Sequence, residues 1–149
     1  MSKIKEQFSC PCRAREDVPQ DYALCCGRYH AGQPAENAEL LMRSRYSAYA
    51  LAQGRYLRQA NTEKAQGLLE YLINTWHPGT APENLSLEPL QWVGLDVLEH
   101  AESDNAGIVE FRAYYKVNGK AEMMQEKSRF LKVNRQWLYI DALPEESDA

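Results

Sequence analysis

All four cysteines of the chain fall in two tight pairs, Cys10-Pro11-Cys12 and Cys25-Cys26, separated by twelve residues. No other feature restricts the possible folds as much, because two thiolate pairs at that spacing can close on a single tetrahedral cation. Zn²⁺ favours four Cys or His ligands, needs the thiols deprotonated, and orders a loop too short to build a core of its own. Residues 1–34 form such a stretch: they show neither helical nor strand period and carry Pro11, Pro19, Gly27, Gly32 and Pro34. Two arrangements compete with a metal site: a pair of disulfides, or four unrelated reduced thiols. No apolar signal segment follows Met1, so a cytoplasmic location is expected, and cytosolic thiols stay reduced. The confinement of every cysteine to one stretch argues against chance clustering. His30, four residues beyond Cys26, is either a replacement ligand or a plain surface histidine.

The usual structural-zinc pair is C-x2-C, so the C-x-C and C-C spacings are tight. They resemble the SEC-C motif, a small zinc module that runs Cys-Pro-Cys, a Gly-Ser-Gly turn, then Cys-Cys or Cys-His followed by glycine. Cys10-Pro11-Cys12 and Cys25-Cys26-Gly27 match both ends. The middle departs from the pattern, since Arg13-Ala14-Arg15 stands in place of the flexible turn and the loop to Cys25 is longer. The resemblance implies structural Zn²⁺ on Cys10, Cys12, Cys25 and Cys26.

A chain of 149 residues holds one ordinary domain of about 100–150 residues plus a small appendage. Its 44% hydrophobic and 26% charged residues are those of a folded protein. No apolar run approaches the ~18 residues that span a bilayer. A formal charge of −4 argues against broad nucleic-acid binding, although Arg13, Arg15, Arg28, Lys3 and Lys5 leave room for a local basic patch.

From Asn37 to Trp76 the chain reads as helices. Asn37 caps the first, in which Leu41, Met42, Tyr46, Tyr49 and Ala50 form an apolar stripe as far as Gly54, with Arg43, Ser44 and Ser47 off it. Thr62 is the expected cap of the second, where Ala65, Leu68, Leu69, Leu72, Ile73 and Trp76 follow helical spacing. That helix must end near His77, because the residue before Pro78 is pushed out of the α region.

Beyond Pro78-Gly79-Thr80-Ala81-Pro82 the pattern becomes strand. Asn118-Gly119 is a two-residue hairpin signal that pairs position 117 with 120, Phe111 with Glu126 and Val109 with Ser128, and Glu110 with Lys127 on the opposite face. A second hairpin at Asn134-Arg135 places Tyr139 opposite Phe130 and Asp141 opposite Ser128. On this register Glu126 and Asp141 share a face with Phe111, Phe130, Trp137 and Tyr139; a one-residue bulge would reverse one strand. The alternative is two solvent-facing carboxylates.

Helices followed by antiparallel strands indicate an α+β domain with helices packed on a curved sheet. Leu41-Met42-Arg43-Ser44-Arg45-Tyr46, Thr75-Trp76-His77-Pro78, Ser128-Arg129-Phe130 and Trp137-Leu138-Tyr139-Ile140-Asp141 resemble signature segments of the bacterial YchJ-type family. That resemblance implies an N-terminal SEC-C motif over residues 1–34, a nuclear-transport-factor-2-like cone over residues 35–144, and an acidic tail from 145 to 149. Many relatives end in a second SEC-C motif, which this chain lacks.

Two functions follow. In the first, the chain is a zinc-binding adaptor whose module contacts a protein or ribosomal partner, with nucleic acid disfavoured, no membrane role, and a homodimer through the sheet allowed. In the second, the cone cavity binds or transforms a small molecule, with His77, Glu126, Ser128 and Asp141 as polar groups and Trp76, Phe111, Phe130, Trp137 and Tyr139 as walls. Glu126 there is a candidate general base, or else the partner of Arg43 or Arg45. There is no Gly-rich phosphate loop, nucleophile elbow or H-E-x-x-H, so binding is favoured over catalysis.

Overall fold

The computed structural model describes residues 8–55, 63–85, 87 and 90–144. Lys3, Lys5, Thr62 and the acidic tail lie outside them. Among the described residues three α-helices precede four strands: α1 (Cys26–His30), α2 (Ala38–Ala50), α3 (Glu63–Asn74), then β1 (Gln91–Glu102), β2 (Ala106–Val117), β3 (Lys120–Val133) and β4 (Gln136–Ala142). The strands form one antiparallel meander in the order β1-β2-β3-β4, the expected α+β arrangement. After α3 the chain runs beside the outer edge of β4. Trp76 makes a parallel bridge with Tyr139, whose N–H donates to Thr75 O at 2.8 Å while its carbonyl accepts from His77 N at 2.7 Å. Among the described residues no helix is long and apolar enough to cross a membrane.

The turns set the register. Asn118 and Gly119 both take positive φ, 51° and 77°, as a type I′ hairpin requires. From that turn Val117 pairs with Lys120, Phe111 with Glu126, Glu110 with Lys127 and Val109 with Ser128. Asn134 and Arg135, at φ 51° and 67°, make the second turn, and Phe130 meets Tyr139 as the sequence predicts. There the ladder slips. Arg129 pairs with Asp141 and Ser128 with Ala142, so Ile140 is the extra residue of a bulge, and the residue after a bulge changes face. Asp141 therefore does not share the inner face with Ser128. It lies outside, where the Arg129 guanidinium donates to both its oxygens at 2.7 and 2.8 Å.

Helix α2 starts where expected, with Asn37 Oδ1 accepting from Leu40 N at 2.8 Å. Glu102 at the end of β1 adds a second acceptor, 3.0 Å from Ala38 N, and its charge suits a helix N-terminus. The helix is enclosed by the sheet, the N-terminal segment and α3, so it has no solvated face along its middle. Arg43, Ser44 and Ser47, expected off the buried stripe, are all buried. One wide π turn, Leu51–Arg55, ends it.

The four cysteines pack in the same core as Leu41, Met42, Tyr46, Leu95, Val109, Phe130 and Trp137. The compositional boundary near residue 34 is thus no boundary in packing. Arg15 clasps the edge of the sheet: its stem lies where a Cβ on Gly94 would sit, its guanidinium carbon is 4.1 Å from the centre of the Tyr114 ring, and Nε donates to Asp96 at 3.0 Å.

Candidate metal centre and cavity

Local backbone bonds bring the cysteine pairs together. Ser9 and Asp21 form an antiparallel bridge, with Cys10 N donating to Gln20 O at 2.7 Å and Tyr22 N to Phe8 O at 2.9 Å. This closes the long loop. Pro11–Arg13 then makes one 3₁₀ turn, for which Pro at the first position is preorganised, and Cys26 opens α1. Gly27 follows because a Cβ there would lie 2.7 Å from the Tyr22 carbonyl oxygen. The SEC-C glycine is a packing requirement.

The four Sγ atoms lie within 4.8 Å of one another and all four residues are buried. Cys12 Sγ lies 3.7 Å from the sulfurs of Cys10 and Cys25 and 3.5 Å from that of Cys26. A tetrahedron with metal–sulfur bonds of about 2.3 Å has edges of about 3.8 Å, so this donor set fits one four-coordinate ion. Without a cation, Cys26 is held well above the usual thiol range by hydrogen bonds to Cys10, Cys12 and Cys25 and by burial. Cys25, receiving those bonds, is held below it. A shared divalent ion removes the conflict by stabilising thiolates together.

His30 is not part of this set. Its Nε2–H donates to Ser44 O at 2.8 Å, which leaves Nδ1 to accept from the Tyr22 hydroxyl at 2.6 Å. Burial lowers its pKa and keeps the ring neutral, so it is a structural tie between α1 and α2. Ser47 supports the sulfurs directly, 3.2 Å from Cys26 Sγ and 3.4 Å from Cys10 Sγ. Arg43 reaches Cys12 O at 3.1 Å, Glu16 at 2.8 Å and Glu39 at 2.9 Å. The basic residues of the loop are also engaged within the chain: Arg13 with Glu16, Arg15 with Asp96, and Arg28 with Cys25 O and the Tyr29 hydroxyl.

On the other side of α2 a cavity of about 320 Å³ opens against the inner face of β2 and β3. Of the expected site residues, Trp76, Phe111, Glu126, Ser128, Phe130 and Tyr139 line it. His77, Trp137 and Asp141 do not. His77 sits in the turn after α3, where Nδ1 accepts from Gly79 N at 3.0 Å. Trp137, two residues before Tyr139, is on the inner face but near Gly107 and Ala38, and fills the core beyond the cavity. Asp141 is removed by the bulge described above. Glu126, half-buried, pairs with neither Arg43 nor Arg45. Its Oε2 accepts from Ser128 at 2.6 Å and from the Tyr139 hydroxyl at 3.3 Å.

Arg45 is the functional candidate that sequence reasoning missed as a wall. It is 5% exposed, donates through one terminal nitrogen to Leu72 O and Thr75 Oγ1 at 2.7 Å each, and lies 4.9 Å from the Trp76 ring centre and 4.7 Å from that of Tyr139. Burial lowers its pKa, opposed by the nearby Tyr49, Tyr139 and Tyr71 hydroxyls and the Glu126 charge. Trp92 is a second missed wall, its Nε1 donating to Gln53 at 2.8 Å. The signal available was composition: α2 has Glu39, Arg43 and Arg45 as its only charged side chains, too few for a helix with a solvated face.

A helix-covered antiparallel sheet with an inner cavity, joined to a four-cysteine centre, defines a cone-type α+β protein carrying a SEC-C motif. Residues 37–68 and 65–142 match the family described as YchJ, middle NTF2-like domain. A UPF0225 protein of Chromobacterium violaceum is 43% identical over 95% of this chain and 97% of its own length. The chain therefore belongs to the YchJ family, among the UPF0225 proteins. Among solved structures, a SEC-C motif containing protein from Psychrobacter arcticus matches at TM-score 0.66 with 27% identity, covering 95% of this chain and 85% of that one. A SEC-C motif containing protein from Rhodopseudomonas palustris shares the fold at TM-score 0.66, with 23% identity over 93% and 100% of the two chains.

Proposed function

We propose that the chain is a small-molecule binding protein in which a structural Zn²⁺ on Cys10, Cys12, Cys25 and Cys26 staples the fold and the cavity behind α2 holds the ligand. The observation that carries this is the cavity itself: about 320 Å³, within the usual range for small-ligand sites, with aromatic walls and Arg45 and Glu126 as its polar groups. The metal centre is too deeply buried to be a contact surface, and four protein ligands leave a zinc ion no open position for chemistry. Thiolate ligands also accord with a reducing, cytoplasmic setting.

Two measurements test this reading. Elemental analysis of reduced protein should return one zinc per chain. Fragment screening by methyl NMR should shift Met42 and Met124, which line the cavity, and leave the exposed Met123 unmoved. Ala113→Phe, which fills the cavity from β2, should abolish those shifts. Fragments that shift only Met123 would refute the cavity as the binding site.

A second reading, an adaptor for a protein or ribosomal partner, is favoured by Val18 and Leu24, which stand 67% and 72% exposed on the loop between the cysteine pairs. Affinity capture with the native chain and with Val18→Ser/Leu24→Ser should then differ in the proteins retained.

A further inference from the structure

We infer that the cavity selects an organic anion, a carboxylate on an aromatic or other flat apolar body, with the anionic group seated at Arg45 and Trp76. This rests on the cavity reading above and names the ligand's chemistry.

Donors in the cavity wall lack a full set of acceptors. Arg45 carries five N–H donors. One terminal nitrogen donates to Leu72 O and Thr75 Oγ1, the Tyr49 hydroxyl lies within hydrogen-bonding reach of the guanidinium, and no carboxylate forms an ion pair with it among the described residues. The rings of Trp76 and Tyr139 lie beside the guanidinium and offset part of its desolvation, but a ring face accepts no strong hydrogen bond. A buried cation needs an anion or it destabilises the fold. Arg43, one turn-half away on the same helix, shows the contrast: it has Glu16, Glu39 and the Cys12 carbonyl. The second unmet donor is Trp76 Nε1, which is buried and has no partner, on a side chain that lines the same cavity.

Glu126 does not supply the missing anion. Tyr139 stands between the two groups, its ring by Arg45 and its hydroxyl on Glu126. Instead Glu126 gives the cavity a direction. An anion is repelled from the Glu126 end and attracted to the Arg45 end, while a ligand N–H or O–H is suited to the carboxylate. Between these poles Phe111, Phe130, Met124 and Trp92 offer flat apolar surface. A neutral or cationic ligand would leave Arg45 and Trp76 Nε1 as they are. A carboxylate accepts from both, and bidentate contact with a guanidinium is the strongest hydrogen bonding open to it.

The test uses the zinc-loaded full chain, labelled at its methionine methyls, and three probes of one shape: 1-naphthylacetate, 1-naphthylacetamide and 1-naphthylethylamine. The carboxylate should bind at least tenfold more tightly than the amide, shifting Met42 and Met124 and not Met123, and the amine should bind least. Arg45→Met should bring the carboxylate to the level of the amide. Arg45→Lys retains a charge and a donor to Leu72 O, guards against simple misfolding, and should keep part of the preference. Equal binding of all three probes at Met42 and Met124, unchanged by either substitution, would overturn the anion inference while leaving the cavity reading intact. Absence of any shift at those methyls with every probe and with a fragment library would overturn both.

Discussion

Helix α2 separates two buried regions that differ in how completely their polar groups are satisfied. On the cysteine side, Ser47 is bonded to two sulfurs, Arg43 to a carbonyl and two carboxylates, and Ser44 to Leu41 O and the Tyr71 hydroxyl. Both nitrogens of His30 are engaged there as well. On the cavity side, Arg45 has donors without acceptors and Trp76 Nε1 has no partner. Buried polar groups are normally paired, and the first region comes close to that within the chain, Arg13 Nε being its exception, whereas on the cavity side the unmet donors belong to side chains that line an open space a ligand could enter. A satisfied polar network fixes one structure; an unsatisfied one waits for a binding partner.

Breaking the cysteine side should therefore cost far more than altering the cavity. Removal of the metal by a chelator, or Cys26→Ser, should destabilise the whole protein by at least ~5 kcal/mol, since structural zinc binding is coupled to folding. Amide spectra of the β2 and β3 residues check this: they should collapse together with those of residues 8–34, because the sulfurs share the core of the sheet. A sheet that keeps its native spectrum would make the module a separate unit. Next in size is Arg43→Met, which takes the side-chain donor from the Cys12 carbonyl and one partner each from Glu16 and Glu39, which keep Arg13 and His100. Because both carboxylates retain some access to water, the loss should be about 2 kcal/mol, read by urea unfolding. Ser47→Ala removes one hydroxyl from two sulfurs and should cost about 1 kcal/mol, with faster zinc loss during chelation.

The smallest effect concerns pH. Burial lowers the folded-state pKa of His30 below the unfolded value of about 6.5. The unfolded chain then takes up the proton first, so the His30 contribution to stability is full above that pH and is lost as pH falls toward the folded-state value. Nitrogen-15 NMR should find His30 titrating below an unstructured histidine, with the proton of the neutral ring on Nε2. A ring that titrates above it would contradict its burial and the acceptor role of Nδ1 toward the Tyr22 hydroxyl.

Much of this was legible in the residues themselves. Asn118-Gly119 determines the β2–β3 register, since positive φ at both positions selects one hairpin, and Glu126 follows onto the cavity wall. The cysteine spacing marks the four-thiol cluster for a similar reason: few geometries satisfy four thiols so close together. Asp141 was misplaced because nothing in Trp137-Leu138-Tyr139-Ile140-Asp141 marks the bulge; it arises where β4 also accommodates the Trp76 segment along its edge. Arg45 was considered only as a partner for Glu126 and not as part of the cavity wall, because periodicity shows which side of a helix is apolar but not that three partners enclose it. The burial of Arg43, Ser44 and Ser47 depends on the N-terminal segment, which contributes nothing to the local pattern of α2.

The most direct test of the central claim follows the Met42 and Met124 methyls in one zinc-loaded sample saturated with 1-naphthylacetate while the metal is slowly chelated. If the metal centre holds the fold that forms the cavity, the probe-induced shifts should vanish in step with zinc loss, together with the dispersion of both methyls. Methyls that keep their native positions and still respond to the probe after all the zinc has gone would contradict the account.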